Sequence, residues 1–567
     1  MRVELKLEGM TCLDCARSLE QALRAVPGVE SASVSYGAKR ASVTAGDDVA
    51  VDDLFRVVER TGYRAEVVED GGARVSAERS APRERAPQPA VIRAGRMGGA
   101  HYDLLIIGSG GAGMAAAIRA SELGATAAIV EGAEVVGGTC VNVGCIPSKN
   151  LIEAAHHYHA ARTGFPGIAA CEPRLEWNDV LRQKREVVES LRKEKYLDVL
   201  DAYEGVTLQR GRAELLGSGR VRVGDAELRA RKIVIATGTR PAMPPVPGLA
   251  EAGALDSTTA MELERLPESM IVIGGGSIGL ELGQAFARFG VRVIVVEAMD
   301  RILPTEDSDV SAALAAALRA QGIEIHTGGR VTGIQRTGRG YTVAIEDGSS
   351  RGRLEAEQVL VATGRRPNTE ELGLDAAGVR MDRRGFIEVD EFMRTSNPDV
   401  FAAGDVTGAP GYVYVAALQG GIAAQAALAE STNEKATPID LATVPRVTFT
   451  DPQVAAVGMT EAEAREAGIT PQVTSLPVRH LPRAAVSHRD RGVIKLVSEV
   501  GTDRLLGAHV VAPNAGDVIS EAALAIRFGL TARDLVSTLH PYLTWGEGLK
   551  LAAQTFTKDV AKLSCCA

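Results

Sequence analysis

Apolar and polar positions divide the chain into a small N-terminal module, a tether and a large body. Residues 1–69 follow the order strand, helix, strand, strand, helix, strand, with alternating apolar residues in "VELKLEG" and "ESASVSY" and helical spacing in "ARSLEQALRAV" and "DLFRVVERT". This βαββαβ order predicts a ferredoxin-like module. Residues 70–99 lose the apolar period and are rich in Ala, Pro, Arg and Glu, which predicts a flexible linker.

The large body contains one structural unit twice. "YDLLIIG" is an apolar strand that leads into a glycine-rich turn, a helix and a second strand ending in Glu, and "SMIVIGGGSIGLELGQAFARFGVRVIVVEA" repeats this order. Such units predict an α/β fold with two Rossmann-like dinucleotide-binding domains. From 445 onward no glycine fingerprint occurs, and we interpret 445–567 as an α+β interface domain.

Both units carry G-x-G-x-x-G and an acidic residue at the end of the following strand. The residues are Gly108, Gly110, Gly113 and Glu131 in the first unit, and Gly274, Gly276, Gly279 and Glu297 in the second. The glycines let the backbone approach a pyrophosphate at a helix N-terminus, and the Glu accepts from a ribose hydroxyl. Glu297 repels a 2′-phosphate and so favours NADH over NADPH, although nearby Arg301 leaves this preference open.

Length and charge narrow the function. At 567 residues the chain has room for roughly three to four domains, and its net charge of −9 without a basic stripe argues against nucleic acid as a partner. No stretch approaches the roughly 20 apolar residues of a membrane helix. The N-terminus lacks the apolar core of a signal peptide, so we expect a cytoplasmic protein in which thiols stay reduced.

Six of the seven cysteines form close pairs, which indicates redox or metal chemistry in a reducing compartment. The pairs are Cys12 with Cys15, Cys140 with Cys145, and Cys565 with Cys566. "GGTCVNVGCIPSKN" places Cys145 at the start of a helix, where the helix dipole and Lys149 lower a thiol pKa. We therefore expect a reactive thiolate there. A zinc site needs four ligands, and this motif supplies two.

From about residue 100 to its end the chain resembles the pyridine nucleotide-disulfide oxidoreductase family. "GGTCVNVGCIPSK", both fingerprints, "ATG" at 236–238 and 362–364, and "FAAGD" stand in the family's order. The resemblance implies FAD on the first unit, NADPH on the second with NADH as an alternative, and a homodimer with active sites shared between subunits. The implied domains are FAD-binding at 100–245 and 376–444, NAD(P)-binding at 246–375, and dimerisation with a cysteine tail at 445–567.

The same resemblance implies roles for individual residues. Cys145 would contact the flavin, Cys140 would meet the substrate, and Lys149 would pair with Glu281 beside the flavin. Further FAD-binding residues would be Thr139, Lys149 and Asp405.

"HPYLTWGEG" departs from the pattern of the family's disulfide reductases. Those enzymes carry a Glu five residues after the His, and the two side chains act as acid and base on thiol protons. In this chain Trp545 occupies that position after His540, and Glu547 comes two residues late. We therefore expect His540 to lack an orienting carboxylate and the substrate to be something other than a disulfide.

The outer cysteine pairs indicate a soft metal ion. A disulfide between adjacent cysteines is strained, so Cys565 and Cys566 are better suited to bind a soft cation as a dithiol. "GMTCLDC", with Cys12 and Cys15, resembles the heavy-metal-associated domain, in which two thiolates hold such an ion. C-x-x-C is also a redox motif, but in a thioredoxin-like context that is missing here.

The C-terminal "HPYLTWGEGLKLAAQTFTKDVAKLSCCA" resembles the mercury-reducing members of the family. The resemblance implies that the tail of one subunit collects Hg(II), brought by small thiols, and passes it to Cys140 and Cys145 of the other, with Tyr196 and Tyr542 near the path. Flavin would then deliver two electrons to give Hg(0). Two alternatives remain: a disulfide reductase acting on dihydrolipoamide or glutathione, and a soft-metal buffer.

Overall fold

The structure is a computed structural model, and the chain divides into two compact units, Met1–Pro89 and Ala90–Ala567. In the second unit it describes residues 101–562 except 349, 433 and 434. In the first it describes residues 2–8, 19, 22–24, 26, 28–35, 40–46, 49, 51–60 and 64–67.

The N-terminal unit has the ferredoxin-like fold that the sequence predicts. Its elements are β1 Arg2–Glu8, β2 Val29–Ser35, β3 Arg40–Ala45, α1 Val51–Arg60 and β4 Arg64–Val67. The strand order β2-β3-β1-β4 is antiparallel throughout. Leu5 and Val43 of the sheet pack in one apolar core with Leu54 of α1 and Leu19. The predicted first helix is described at residues 19 and 22–24 only, and Cys12 and Cys15 lie outside the described residues.

The large unit opens with a parallel sheet that carries an antiparallel extension. Its first elements are β5 His101–Ile107, α2 Gly111–Glu122, β6 Ala127–Glu131, α3 Gly138–Val143, α4 Cys145–Thr163, α5 Trp177–Arg192, α6 Asp198–Ala202, β7 Val206–Arg210, β8 Ala213–Gly217, β9 Arg220–Val223, β10 Ala226–Ile235 and β11 Thr239–Pro241. The order is β7-β6-β5-β10-β9-β8, in which β5, β6, β7 and β10 are parallel. One π-helical turn, Lys193–Leu197, separates α5 from α6.

The second nucleotide unit follows. Its elements are α7 Leu249–Ala252, α8 Ser257–Ala260, β12 Ser269–Ile273, α9 Ser277–Arg288, β13 Arg292–Glu297, α10 Ser308–Ala320, β14 Glu324–Thr327, β15 Gly329–Thr337, β16 Gly340–Asp347, β17 Ser350–Ala356, β18 Gln358–Val361 and β19 Arg365–Pro367. The parallel sheet has the order β14-β13-β12-β18, and β15-β16-β17 form a separate antiparallel sheet. Strands β12 and β13 are buried on both faces, as continuous apolar runs predict.

The chain then returns to the first sheet. Strand β20, Val400–Ala402, pairs parallel with β10, and α11, Val413–Thr432, packs against α2. Small residues make this packing close, because a Cβ at Gly420 would collide with the carbonyl oxygen of Ala112. The first nucleotide domain is therefore assembled from two separated stretches of sequence.

The C-terminal domain is the expected α+β structure. Its elements are β21 Arg446–Thr448, β22 Gln453–Gly458, α12 Glu461–Glu466, β23 Pro471–Pro477, α13 Pro482–Ser487, β24 Val493–Glu499, β25 Leu505–Ala512, α14 Ala515–Arg527, α15 Ala532–Ser537 and α16 Glu547–Gln554. The antiparallel sheet has the order β21-β22-β25-β24-β23. Trp545 and Leu549 pack with residues of β24 and β25 in its core.

Candidate active site

A cleft of about 1230 Å³ lies at the carboxyl ends of the first parallel sheet. It brings together residues that are distant in sequence: the glycine turn after β5, the end of β6, the dithiol segment, and the loop after β20. Predicted site residues on its walls are Gly108, Gly110, Glu131, Thr139, Cys140, Cys145 and Asp405.

The glycine turn has the geometry that a pyrophosphate requires. Gly108 has φ +107°, and a Cβ there would collide with the carbonyl oxygen of Ala236. A Cβ at Gly113 would collide with the carbonyl oxygen of Gly108, so this glycine serves helix–strand packing. Gly110 is the N-cap of α2 and lines the cleft, which places the helix N-terminus at the cavity. These features fit the phosphates of a dinucleotide.

Glu131 is held by the turn that it faces. Its Oε2 accepts from the backbone N–H of Ser109 at 3.1 Å and from the Ser109 hydroxyl at 2.5 Å. Its Oε1 accepts from the N–H of Ala133 at 2.7 Å. The side chain is 8% exposed, so the carboxylate has a defined orientation at the wall of the cleft.

The second unit repeats this construction. Gly274 has φ +111°, and Cβ atoms at Gly274 and Gly279 would collide with the carbonyl oxygens of Ala362 and Gly274 respectively. Gly276 is the N-cap of α9. Glu297 accepts from the N–H of Gly275 at 2.7 Å and from that of Met299 at 2.8 Å. The second fingerprint therefore matches the first in backbone geometry.

The two core thiols are free, half-buried and electrostatically unequal. Cys140 lies within α3, and Cys145 is the first residue of α4. A hydrogen bond from the Cys140 thiol lowers the pKa of Cys145 to about 7; burial opposes this shift, and Lys149 adds to it. The hydrogen bond with Cys145 and burial together raise the pKa of Cys140. As the pH rises through about 7 the pair therefore loses its first proton, which leaves the thiolate at Cys145 and the remaining proton at Cys140.

A partly buried ion pair lies near the dithiol. Lys149 Nζ lies 2.7 Å from Glu281 Oε2, and Glu281 Oε1 accepts from the N–H of Phe449 at 2.9 Å. The ammonium group also lies 4.6 Å from the centroid of the Phe449 ring. Lys149 belongs to α4, Glu281 to α9, and Phe449 follows β21, so this contact joins all three domains. Lys149 itself is not among the residues that line the cleft.

Tyr196 lies beside the dithiol segment, in the π-helical turn. A Cβ at Gly137 would contact its ring. Burial, followed by negative charge at Cys140 and Cys145, raises the pKa of Tyr196 to about 12. The phenol therefore stays protonated at neutral pH and can donate a hydrogen bond.

Several further residues near the site belong to no motif that the sequence reveals. Thr239 donates its hydroxyl to Asp405 Oδ2 at 3.0 Å and accepts from Arg365 Nε at 2.7 Å, which fixes Asp405 at the wall of the cleft. Burial raises the pKa of Tyr414, with Tyr412 and then Cys145 as contributing charges, and its hydroxyl donates to the carbonyl of Pro445. These contacts depend on the tertiary fold, and a motif search does not reveal them.

His540 has a carboxylate partner, so the prediction that it lacks one is wrong. Its Nε2 lies 2.7 Å from Glu521 Oε1, and its Nδ1 lies 3.0 Å from the carbonyl oxygen of Thr538. Glu521 comes from α14, nineteen residues before the His. Trp545 is instead 7% exposed and packs in the core of the C-terminal domain. Tyr542 is 54% exposed on the same domain.

Cys565 and Cys566, like Cys12 and Cys15, lie outside the described residues. Burial and the charges of Arg288 and Arg489 lower the pKa of His156 to about 4, and its ring nitrogens face Arg288 and Asp451. Among the residues that the structure describes, no group of His, Cys, Asp and Glu has the arrangement of a metal site.

Comparison with known proteins identifies the family. Residues 102–420 match the pyridine nucleotide-disulphide oxidoreductase model, 444–553 match the dimerisation domain of that family, and 4–64 match the heavy-metal-associated domain. The chain belongs to the pyridine nucleotide-disulphide oxidoreductase family. It is thus an FAD- and NAD(P)H-dependent oxidoreductase with a homodimerisation domain, as the sequence resemblance implied.

Similar proteins within the family include several mercuric reductases. The chain is 40% identical over 567 residues to a mercuric reductase of Lysinibacillus sphaericus, covering all of both chains, and 41% identical to one of Shigella flexneri, covering 99% of each. A mercuric reductase of Streptomyces lividans is 45% identical over 82% of this chain and 98% of its own.

A solved structure is also similar. The Cu(II) complex of the HOCl-induced flavoprotein disulfide reductase RclA of Escherichia coli has a TM-score of 0.72 and 31% identity, covering 80% of this chain and 99% of its own. Across the helices that the structure describes, none is long and apolar enough to span a membrane.

Proposed function

We propose that this chain reduces Hg(II) to Hg(0) with two electrons from NAD(P)H and so detoxifies mercury. The observation that carries the proposal is the Cys140–Cys145 dithiol on the wall of a dinucleotide cleft, in a chain whose full-length relatives are mercuric reductases. Two sulfur ligands side by side suit a soft cation. The cleft also connects these ligands with a site for the electron carrier.

Gly110, Glu131, Thr139 and Asp405 are the residues that we assign to FAD binding. The N-terminus of α2 would receive the pyrophosphate, and Glu131 would accept from a ribose hydroxyl. FAD, when bound, accepts two electrons from the nicotinamide coenzyme and passes them on as the enzyme requires. The protein's own contribution is to place thiols, carboxylates and Lys149 around that carrier.

Metal capture follows from the unequal thiols. The Cys145 thiolate is ready to bind Hg(II) near neutral pH, and Cys140 loses its proton as the second sulfur ligand binds. Two electrons convert bound Hg(II) to Hg(0), and both sulfurs remain as thiolates. The overall balance is NAD(P)H plus Hg(II) to NAD(P)⁺, H⁺ and Hg(0). Neutral mercury has no charge to hold it to thiolates and leaves.

Delivery of the metal ion is assigned to the outer cysteine pairs. Cys565 and Cys566 of one subunit would take Hg(II) from small thiols and transfer it to Cys140 and Cys145 of the other, past Tyr196 and Tyr542. Cys12 and Cys15 would bind the ion on the N-terminal module. Lys149, Glu281 and His540 complete the site that we propose across a homodimer, and we place the protein in the cytoplasm.

A disulfide reductase is the second candidate, because His540 retains a carboxylate partner in Glu521. Such a pair is suited to protonate a leaving thiolate.

Parallel assays of the FAD-loaded protein test the proposal. We expect NAD(P)H oxidation to be strongly stimulated by Hg(II) in excess thiol, and barely by oxidised glutathione or lipoamide. Cys140→Ser or Cys145→Ser should abolish Hg(0) release while FAD stays bound, whereas Cys171→Ser, at an exposed cysteine, is the matched control and should keep full activity. Substantial disulfide turnover without Hg(II) reduction would establish the second candidate instead.

A further inference from the structure

We infer that Glu297 makes the second nucleotide unit specific for a coenzyme with a free adenosine 2′-hydroxyl, so that NADH binds in preference to NADPH. This inference rests on the proposed function only for the use of a nicotinamide coenzyme. It concerns the adenosine end of that coenzyme, which lies away from the dithiol chemistry.

The first unit of the same chain provides an internal standard. Glu131 is bonded to the N–H of the residue after the first fingerprint glycine and to the N–H two residues after itself. Glu297 makes the equivalent two bonds, with Gly275 at 2.7 Å and Met299 at 2.8 Å. The two carboxylates are 8% and 9% exposed. Their positions and their contacts with backbone N–H groups are therefore the same.

The adenosine ribose of FAD indicates which chemical group a carboxylate in this position is suited to bind. The adenosine ribose of FAD carries a free 2′-hydroxyl, so a carboxylate in the Glu131 position is suited to accept from a hydroxyl and not to receive a phosphate. The same carboxylate geometry at Glu297 is suited to the same chemical group. By this standard the second unit is built for the unphosphorylated ribose.

The acceptor capacity of Glu297 matches a ribose. An ionised carboxylate offers about four lone-pair positions. Backbone N–H groups occupy two of them, one on each oxygen, whereas Glu131 also binds the Ser109 hydroxyl. Two positions remain at Glu297, the number needed by the 2′- and 3′-hydroxyls. A 2′-phosphate has no hydroxyl proton to donate when ionised and repels the carboxylate.

The guanidinium group of the neighbouring Arg301 already contacts other groups of the protein. Arg301 Nη1 lies 3.2 Å from Asp300 Oδ1, and its Nη2 donates to the carbonyl of Pro304 at 3.1 Å. Its Nε is buried without a hydrogen-bond partner, out of reach of a ligand in solvent. Asp300 therefore already compensates the charge of Arg301. A phosphate arriving here would meet the charge of Glu297 and would have to displace Asp300 to reach the guanidinium of Arg301.

Calorimetric titration of the FAD-loaded protein tests the inference without hydride transfer. Bound FAD occupies the first unit, so ADP-ribose and 2′-phospho-ADP-ribose report on the second. We expect ADP-ribose to bind at least about tenfold more tightly, because a like charge next to the phosphate is strongly unfavourable. Equal or tighter binding of the phosphorylated ligand overturns the inference.

Two variants test which residue, Glu297 or Arg301, determines the ratio of the two affinities. Glu297→Gln removes the charge and should reduce the ratio of the two affinities by at least about fivefold; an unchanged ratio in a folded variant overturns the role of Glu297. Arg301→Gln should change both affinities by the same factor. A selective loss of the phosphorylated ligand in this variant would show that Arg301 is the phosphate receptor, and would also overturn the inference. If the ADP-ribose preference holds while Hg(II) is not reduced, the proposed function fails and this inference stands.

Discussion

At the scale of single residues, the asymmetry of the core thiols has a local cause. Cys145 opens α4 and accepts a hydrogen bond from the Cys140 thiol, which lowers the pKa of Cys145, and the charge of Lys149 lowers it further. The thiol proton is consequently shared unequally. The site keeps one strong nucleophile for Hg(II) and one protonated thiol that becomes a ligand only when the metal ion displaces its proton.

Alkylation kinetics test this asymmetry. In the anaerobically reduced protein, the rate of Cys145 alkylation by iodoacetamide should rise with pH through a midpoint of about 7, because the thiolate reacts. Cys140→Ala removes the largest stabilising contact, and the midpoint should move upward towards the ordinary value of 9.0. Peptide mass spectrometry measures the rate, with exposed Cys171 as an internal reference. Identical midpoints in the two proteins would contradict the assigned cause.

Some residues of this site were predictable from the sequence, and others were not. The dithiol, Lys149 and the acidic residues sit in local motifs, so their neighbourhood was predictable from spacing. The contact of Lys149 with Glu281 joins positions far apart in sequence, and only the family resemblance implied it. His540 shows the limit, because its carboxylate comes from another helix at Glu521, and spacing within "HPYLTWGEG" carries no information about that helix.

At the scale of elements, different glycines of one turn serve packing and ligand binding. A Cβ at Gly279 would collide with the carbonyl oxygen of Gly274, whereas a Cβ at Gly276 would have no atom within 4 Å. Gly276 has φ −80°, which any residue adopts. The two glycines of one fingerprint therefore meet different physical requirements, helix–strand packing at Gly279 and space for a ligand at Gly276.

Two alanine substitutions separate these reasons. Gly279→Ala should lower the free energy of unfolding of the holoprotein by about 1–3 kcal/mol, because the helix must shift away from the turn. Gly276→Ala should leave stability nearly unchanged and weaken ADP-ribose binding, since the new methyl group lies where the pyrophosphate approaches. Urea unfolding and calorimetry provide the two readouts. Equal stability losses in both variants would refute the division.

Regular elements were easier to predict than irregular ones. The buried strands β12 and β13 are uninterrupted apolar runs between a charged residue and a turn, so their existence follows from sequence alone. The π-helical turn at Lys193–Leu197 has no such signature, because it results from one extra residue accommodated within a helix. Yet this turn places Tyr196 beside the thiols, and the tyrosine's position could be implied only by resemblance.

At the scale of the whole molecule, buried ion pairs connect the second nucleotide domain with the C-terminal domain. Lys495 of β24 is 3% exposed and lies 2.7 Å from Asp307 Oδ1 and 3.1 Å from Glu461 Oε2. A second pair joins Arg446 to Glu306 at 2.7 Å. Burial alone would raise the pKa of Asp307, but hydrogen bonds from Lys495 and the Glu461 N–H outweigh it and lower that pKa. The domains are thereby held in one arrangement around the cleft.

Lys495→Met tests this connection. The change leaves Asp307 buried and unpaired, and we expect a loss of about 3 kcal/mol in the free energy of unfolding at neutral pH. The double variant Lys495→Met, Asp307→Asn should recover much of the loss because Asp307 is the most deeply buried of the carboxylates that lose Lys495 as a partner, and its charge is then removed. A carboxyl group with a lowered pKa stabilises the fold above its ordinary value of 3.8, so the loss in Lys495→Met should diminish below that pH. No recovery in the double variant would contradict the pairing.

The C-terminal domain also exposes apolar side chains, as a dimerisation domain would. Leu539 is 92% exposed, Phe528 69% and Leu524 58%. A homodimer formed through this domain is what the family resemblance implies, and the predicted transfer of Hg(II) requires that the tail of one subunit serve the cleft of the other. The tail itself lies outside the described residues, so its role is a prediction from sequence. The test compares two forms of the Hg(II) substrate, a glutathione complex and a halide.

Changing Cys565 and Cys566 to Ala should leave reduction of the flavoprotein by NAD(P)H intact, since neither residue belongs to a nucleotide fingerprint. Metal delivery should suffer instead. The inner thiols are half-buried, so mercury bound by two bulky glutathione molecules needs a second thiol pair that exchanges with glutathione and hands the ion on, whereas a small mercuric halide can diffuse in. We expect most Hg(0) release to be lost with the glutathione complex and much more to be kept with the halide, measured as volatile mercury.

A mixed dimer then tests which subunit supplies which pair. One subunit carries the double tail variant and the other carries Cys140→Ala, so each is inactive towards the glutathione complex when paired with its own kind. If the tail acts on the partner's cleft, the mixed dimer contains one intact tail opposite one intact dithiol, and activity should return to about half per dimer, as one of two sites is complete. Transfer within a subunit predicts no recovery, because no single chain then holds both intact pairs. Wild-type activity of the tail variant with the glutathione complex would show instead that Cys565 and Cys566 take no part in metal intake.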